Sequence, residues 1–80
     1  MERDQIIDRL VKLMEDAFDE DGIKYSDSLT ADDIEEWDSM SNIRFIVSVE
    51  RAFGIRFTVG EIEGFRNVGE LVDAVAAKVA

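Results

Sequence analysis

Apolar residues return at every third or fourth position in three separate stretches of this chain, and no stretch alternates at every second position for long enough to make a paired strand. That spacing lays a hydrophobic stripe along one side of a helix. In residues 3–18 the stripe is Ile6, Leu10, Leu13, Met14 and Ala17, with Ile7, Val11 and Phe18 beside it. This helix is predicted to stop near Asp21-Gly22, where glycine takes a left-handed C-cap conformation. A second helix is predicted from Ser39 to Phe53, closed by Gly54. Met40, Ile43, Phe45, Ile46, Val47, Val49, Ala52 and Phe53 cover more than half its circumference, the pattern of a helix surrounded by others. Its polar stripe is Ser41, Arg44, Ser48 and Arg51.

Thr58-Val59-Gly60-Glu61 reads as a capping box that opens a very short helix ending near Gly64. Asn67-Val68-Gly69-Glu70 has the same shape, at the head of a last helix that turns Val68, Leu71, Val72, Val75, Ala76 and Val79 inward. Residues 22–37 form a long polar connection, with Ile23, Tyr25, Leu29, Ile34 and Trp37 as anchors on the core. Connections this long tend to be functional or to contain a turn of helix, and Thr30-Ala31-Asp32-Asp33 suits the start of one. The predicted fold is all-α: three main helices and one short one, with the long loop between the first and the second.

Residues 1–80 are read as one domain. The chain has no Cys and no His, which excludes disulfides, thiolate nucleophiles, Cys/His zinc sites and a Ser-His-Asp triad. The charged start Met-Glu-Arg-Asp is unlike a signal peptide, and no apolar run approaches membrane-spanning length. A soluble cytoplasmic protein without stable membrane insertion is expected. Nineteen acids against nine bases give a net charge of −10. All of it lies before Ser39: residues 1–38 hold 14 acids and 4 bases, residues 39–80 hold 5 of each. Such a field repels nucleic acid and anionic membrane and favours basic proteins or cations; it also simply keeps a small protein soluble.

Asp19-Glu20-Asp21-Gly22 resembles the middle of an EF-hand loop, but the register fails. Ala17, Lys24 and Ser28 stand where a first ligand, an apolar residue and a final Glu belong. Loose cation binding by Asp19, Asp21, Asp32, Asp33, Glu35 or Glu36 fits the acidic run better. Paired carboxylates adjacent in sequence do not converge on one substrate, so an enzyme is the weakest class.

The most informative segment is Glu35-Glu36-Trp37-Asp38-Ser39-Met40. It places a hydroxyl where a long loop meets the start of the most apolar helix. The unpaired N–H groups and the dipole of a helix start favour an anionic group attached there, such as a phosphodiester. The alternative from spacing alone is that Ser39 or Asp38 serves only as N-cap.

Asp38-Ser39-Met40, followed by Ser-Asn-Ile-Arg-Phe-Ile-Val-Ser-Val-Glu-Arg-Ala-Phe-Gly-Ile-Arg-Phe, resembles the Asp-Ser-Leu motif and second helix of acyl carrier proteins. The short helix after it and Phe65-Arg66-Asn67-Val68 leading into an apolar last helix are similar too. The resemblance spans nearly the whole chain and is strongest over residues 34–76. It implies a non-catalytic carrier with 4'-phosphopantetheine on Ser39, flanked by Asp38 and Met40. A phosphopantetheinyl transferase, using magnesium and coenzyme A, would attach the arm by attack of the Ser39 hydroxyl on the pyrophosphate. The arm's thiol would carry acyl groups as thioesters between acyl-loading and acyl-transferring enzymes, with Met40, Ser41, Arg44, Val47, Glu50 and Arg51 as partner contacts. Met40, Ile43, Ile46, Val47, Ile62 and Leu71 would line the acyl cavity or serve as ordinary core.

The chain departs from carriers of fatty acid synthesis in one respect. Where those show acids along the second helix, it has Ser41, Arg44 and Arg51, with Glu50 the acidic remainder. That implies a dedicated carrier, since like charges across an interface discriminate strongly. Asp-Ser-Met also occurs in some D-alanyl carrier proteins, which keeps an aminoacyl cargo open. An acidic helical interaction module without a prosthetic group is the alternative from another class. A monomer is expected.

Overall fold

A computed structural model describes residues 2–34 and 37–79. Four helices follow one another: α1 (Arg3–Phe18), α2 (Ser39–Phe53), the short α3 (Val59–Gly64) and α4 (Val68–Val79). A single 3-10 turn, Ala31–Asp33, capped by Thr30, lies in the connection between α1 and α2. Among the described residues there is no strand.

α1 buries Ile6, Leu10, Met14 and Phe18, one residue per turn, against α2 and α4. Leu13 and Ala17 lie at the edge of that face, half-buried. The helix ends earlier than the glycine signal predicts. Asp19, at φ 53°, is the left-handed cap and donates its N–H to the Glu15 carbonyl. Aspartate tolerates this conformation better than most residues. The Glu15 carboxylate then accepts the Gly22 and Ile23 amides at 2.8 and 3.2 Å, so Gly22 marks the turn of the loop rather than the end of the helix.

The connection is pinned at the five predicted anchors. Leu29 and Ile34 are buried, and Ile23, Tyr25 and Trp37 pack partly buried against the core. Trp37 stacks on Phe18 with ring centroids 4.7 Å apart and meets Phe45 edge-on at 5.8 Å. The connection is also tied to the head of α4, where the Val68 and Gly69 amides donate to the Leu29 and Asp27 carbonyls at 2.8 and 3.0 Å. Arg3 clasps the same corner. Its guanidinium donates to Asp27 Oδ1 at 2.9 Å and lies 3.5 Å from Asp73. The Tyr25 hydroxyl donates to that Asp27 oxygen as well. The Tyr25 and Arg3 hydrogen bonds hold the Asp27 carboxyl below its usual range, while burial and then the bond to Asp27 push the Tyr25 phenol up to about 12.

α2 turns Phe45, Ile46 and Val49 inward, together with Ser41. Two expectations are corrected here. Ser41 belongs to no exposed stripe: it is 5% exposed. Nor is the helix surrounded on all sides, since Met40, Ile43 and Val47 are 78, 64 and 38% exposed. α2 carries two apolar stripes, and only the one facing α1 is covered. Arg44 and Arg51 are exposed as expected, whereas Glu50 is half-buried and accepts the Phe57 amide at 2.8 Å. Gly54, at φ 65°, caps the helix.

α3 buries no residue completely. It is held by its Thr58–Glu61 capping box, by the Glu61–Lys78 ion pair at 3.1 Å and by an edge-on Phe57–Phe65 contact at 5.5 Å. α4 begins at the predicted cap: Glu70 N–H donates to Asn67 Oδ1 at 2.9 Å, and the Arg66 amide donates to Glu70 Oε1 at 2.8 Å.

Candidate attachment site

The two roles left open for Asp38 and Ser39 are divided between them. Asp38 is the N-cap of α2: its Oδ1 accepts the Ser41 amide at 2.9 Å, and its own amide donates to Ser41 Oγ at 2.9 Å. Ser41 thus stands where a capping box usually holds Glu or Gln, and this is what turns it inward. Ser39 is the first helical residue, is exposed, and among the described residues its hydroxyl has no hydrogen-bond partner. Met40 follows it on the outside of the helix, with its side chain in solvent.

Hydrogen bonds from the Ser41 amide and hydroxyl, followed by the Met40 amide and the charge of Arg44, hold the Asp38 carboxyl below its ordinary value of 3.8. A carboxylate depressed in the folded state stabilises fully above its unfolded pKa and loses that contribution as pH falls through the lower folded value. Below pH 3.8 the acid limb of the stability curve is therefore expected to be shallower in Asp38→Asn than in the parent. Urea midpoints measured across that range test it; parallel limbs would detach the cap from acid stability.

Ser39 stands on the rim of a cavity of about 550 Å³ between the connection, α2, α3 and α4. Thr30, Asp32, Asp38, Asn42, Arg66 and Asn67 contribute its polar wall, and Phe45, Ile46, Ile62, Phe65, Val68 and Leu71 its apolar wall. Trp37 forms part of it, with its indole N–H donated to Asn42 Oδ1 at 2.9 Å. Of the residues expected to line an acyl cavity, Ile46, Ile62 and Leu71 do so; Met40, Ile43 and Val47 lie on the solvent side of α2 instead. Asn42 was not singled out in the sequence, although its place three positions along the same helix makes it a neighbour of Ser39. Phe65 and Arg66 reach the cavity through the α3–α4 turn, which no local spacing reveals.

The site suits a phosphopantetheine arm. The Ser39 hydroxyl is not consumed by the cap, it opens a helix of 15 residues whose dipole favours a phosphodiester, and a cavity with polar and apolar walls adjoins it. Among the described residues no group of three or more acidic side chains could hold a metal ion. Asp19 caps α1 through its backbone amide, and Glu35 and Glu36 lie outside the described residues. Also among the described residues, no helix is long and apolar enough to cross a membrane.

A family model described as "Phosphopantetheine attachment site" matches residues 8–75. No curated protein matches the chain. Among solved structures, the chain is similar to the solution NMR structure of a holo acyl carrier protein from Geobacter metallireducens. The two share 38% identity over 92% of this chain and 85% of that one, with a TM-score of 0.87.

Proposed function

We propose, for a chain that belongs to the phosphopantetheine-binding acyl carrier protein family, that Ser39 is the residue that holds the prosthetic arm. The chain is an acyl carrier on 4'-phosphopantetheine; the bound arm supplies the thiol on which acyl groups travel as thioesters, in a protein without cysteine. One observation carries the assignment to Ser39: Asp38 makes the cap, which leaves the Ser39 hydroxyl exposed on the rim of the cavity. The chain's own part is to present that oxygen on a rigid helix start, and to offer the helix dipole, equivalent to about half a charge, to the phosphodiester formed there.

Incubation with coenzyme A, magnesium and a promiscuous phosphopantetheinyl transferase is expected to raise the intact mass by one arm. The gain disappears in Ser39→Ala and survives in Ser48→Ala. A gain that persists in Ser39→Ala would overturn the assignment. No gain with several transferases would favour the interaction module without a prosthetic group.

Carriers of this family work with phosphopantetheinyl transferase and with acyl-handling enzymes. Our reading of this one is a monomeric, cytoplasmic, single-domain carrier with dedicated partners rather than the housekeeping fatty-acid-synthesis carrier. Its partner contacts are Met40, Arg44, Val47 and Arg51; burial withdraws Ser41, and the bond to the Phe57 amide withdraws the Glu50 carboxylate. The Asp38-Ser39-Met40 motif keeps an aminoacyl cargo such as D-alanine as a second reading, distinguished by the mass of the group on the arm in protein purified from its own cell.

A further inference from the structure

Below Ser39, the outward side of α2 is organised in a way that neither solubility nor the core requires. Met40, Ile43, Arg44, Val47 and Arg51 are all exposed. Projected at about 100° per residue they fall within an arc of about 100°, with the three apolar residues along one edge and both arginines along the other. This is the spacing of a buried helix face, yet it points to solvent. The protein has a net charge of −10, but this stripe contains no acid. The one carboxylate in the last turns of α2, Glu50, is drawn back to the Phe57 amide. Among the described residues neither Arg44 nor Arg51 has an ion-pair partner.

Apart from Asp38 at the cap of α2, within reach of the Arg44 charge, the acids are placed elsewhere. α1 packs against the opposite side of α2, so its outer face, with Asp4, Asp8 and Asp16, points away from the stripe. The molecule measures 31 × 25 × 21 Å. Charge is screened over about 8 Å at physiological salt, so a surface docking on α2 meets the local arginines more strongly than the distant acids.

We propose that this face docks enzymes whose contact surface is an apolar socket rimmed by carboxylates. The proposal rests on the carrier reading of Ser39 and adds the chemistry of the partner. Apolar side chains 40, 43 and 47 supply the desolvated centre, and the two arginines supply the rim charge that sets orientation and encounter rate. A basic docking surface meets like charge at both arginines, so the face selects against it as well as for its opposite.

The test uses one phosphopantetheinyl transferase in two forms: one with a basic carrier-docking face, and one with those basic residues replaced by glutamate. The readout is the initial rate of mass gain at Ser39 at physiological salt, where the screening length is about 8 Å. The parent carrier is expected to be modified about tenfold faster by the acidic-faced form, and Arg44→Glu/Arg51→Glu to invert the preference. Both preferences are expected to collapse at about 0.5 M salt. Ile43→Ser/Val47→Ser is expected to slow both forms several-fold with an unchanged melting temperature, since neither side chain is in the core.

Modification of parent and charge-reversed carrier with the same preference would overturn the partner chemistry while leaving Ser39 intact. Absence of any modification of the parent by either form would remove the carrier reading and the docking proposal together. A dimer dissociated by Arg44→Glu/Arg51→Glu in sedimentation would assign the face to a second copy instead. Binding to phosphatidylglycerol vesicles lost in the same variant would assign it to a lipid surface.

Discussion

Phe45→Ala is expected to cost about 3–5 kcal/mol of unfolding free energy. A chain of 80 residues has about 4–12 kcal/mol in total, so this single change removes a large part of what holds the protein folded. Phe45 is fully buried, with its ring 5.4 Å from Phe18 and 5.8 Å from Trp37 between centroids. It also forms part of the cavity wall. Truncation therefore removes the packing of three rings and enlarges an existing void, and the surroundings have little freedom to close over it. The urea midpoint should fall with little change in slope, which separates lost stability from a change in the unfolded state. Phe45→Leu, which keeps most of the volume, should cost less than half as much. A loss below about 1 kcal/mol for the alanine variant would show that the three-ring cluster does not carry the α1–α2 joint.

The second large effect has an unusual sign. Replacing a helical glycine by alanine ordinarily gains up to about 1 kcal/mol. At Gly69 it is expected to cost about 2–3 kcal/mol, since overpacking against fixed atoms and a lost hydrogen bond both act there. A Cβ on Gly69 would lie 2.7 Å from the Asp27 carbonyl oxygen and 3.0 Å from its Cα. Those are backbone atoms, and they cannot move without releasing the bonds from the Val68 and Gly69 amides and disturbing the Arg3–Asp27 clasp. The melting temperature should drop by roughly 10–20 °C. Gly64→Ala is the control: nothing lies within 4 Å of a Cβ there, so it should be neutral or mildly stabilising. A Gly69 variant that melts with the parent would mean that the connection is not stapled to α4.

These two sites also show what kind of information the sequence carries. The start of α2, its glycine cap at Gly54 and the caps at Thr58 and Asn67 are local chemistry, written within four residues, and all were legible. The end of α1 was not, because the favourable glycine at Gly22 competes with an aspartate held left-handed by contacts of Glu15. Ser41 was placed on the exposed stripe because its capping role draws it inward only in the folded backbone, while Met40, Ile43 and Val47 were misplaced as cavity-lining residues for one shared reason. α2 has apolar residues on two sides, and periodicity states that a stripe exists without stating which stripe a neighbour covers. The close approach of Gly69 to Asp27 joins residues far apart in the chain and leaves no local trace. At the candidate site, the presence of an Asp-Ser pair at a helix start could be read directly. The division of labour between capping and exposed residue required the backbone.

The aromatic residues give the molecule a property of its own. It contains one tryptophan and one tyrosine. The indole of Trp37 is wedged against Phe18 and Phe45 on the cavity wall, and the phenol of Tyr25 is bound into the clasp at Asp27. Each chromophore thus has a single, different address. Indole emission reports on the α1–α2 joint and the space beside Ser39, phenol absorbance reports on the corner that ties the connection to α4, and the two regions are spectroscopically separate without any label.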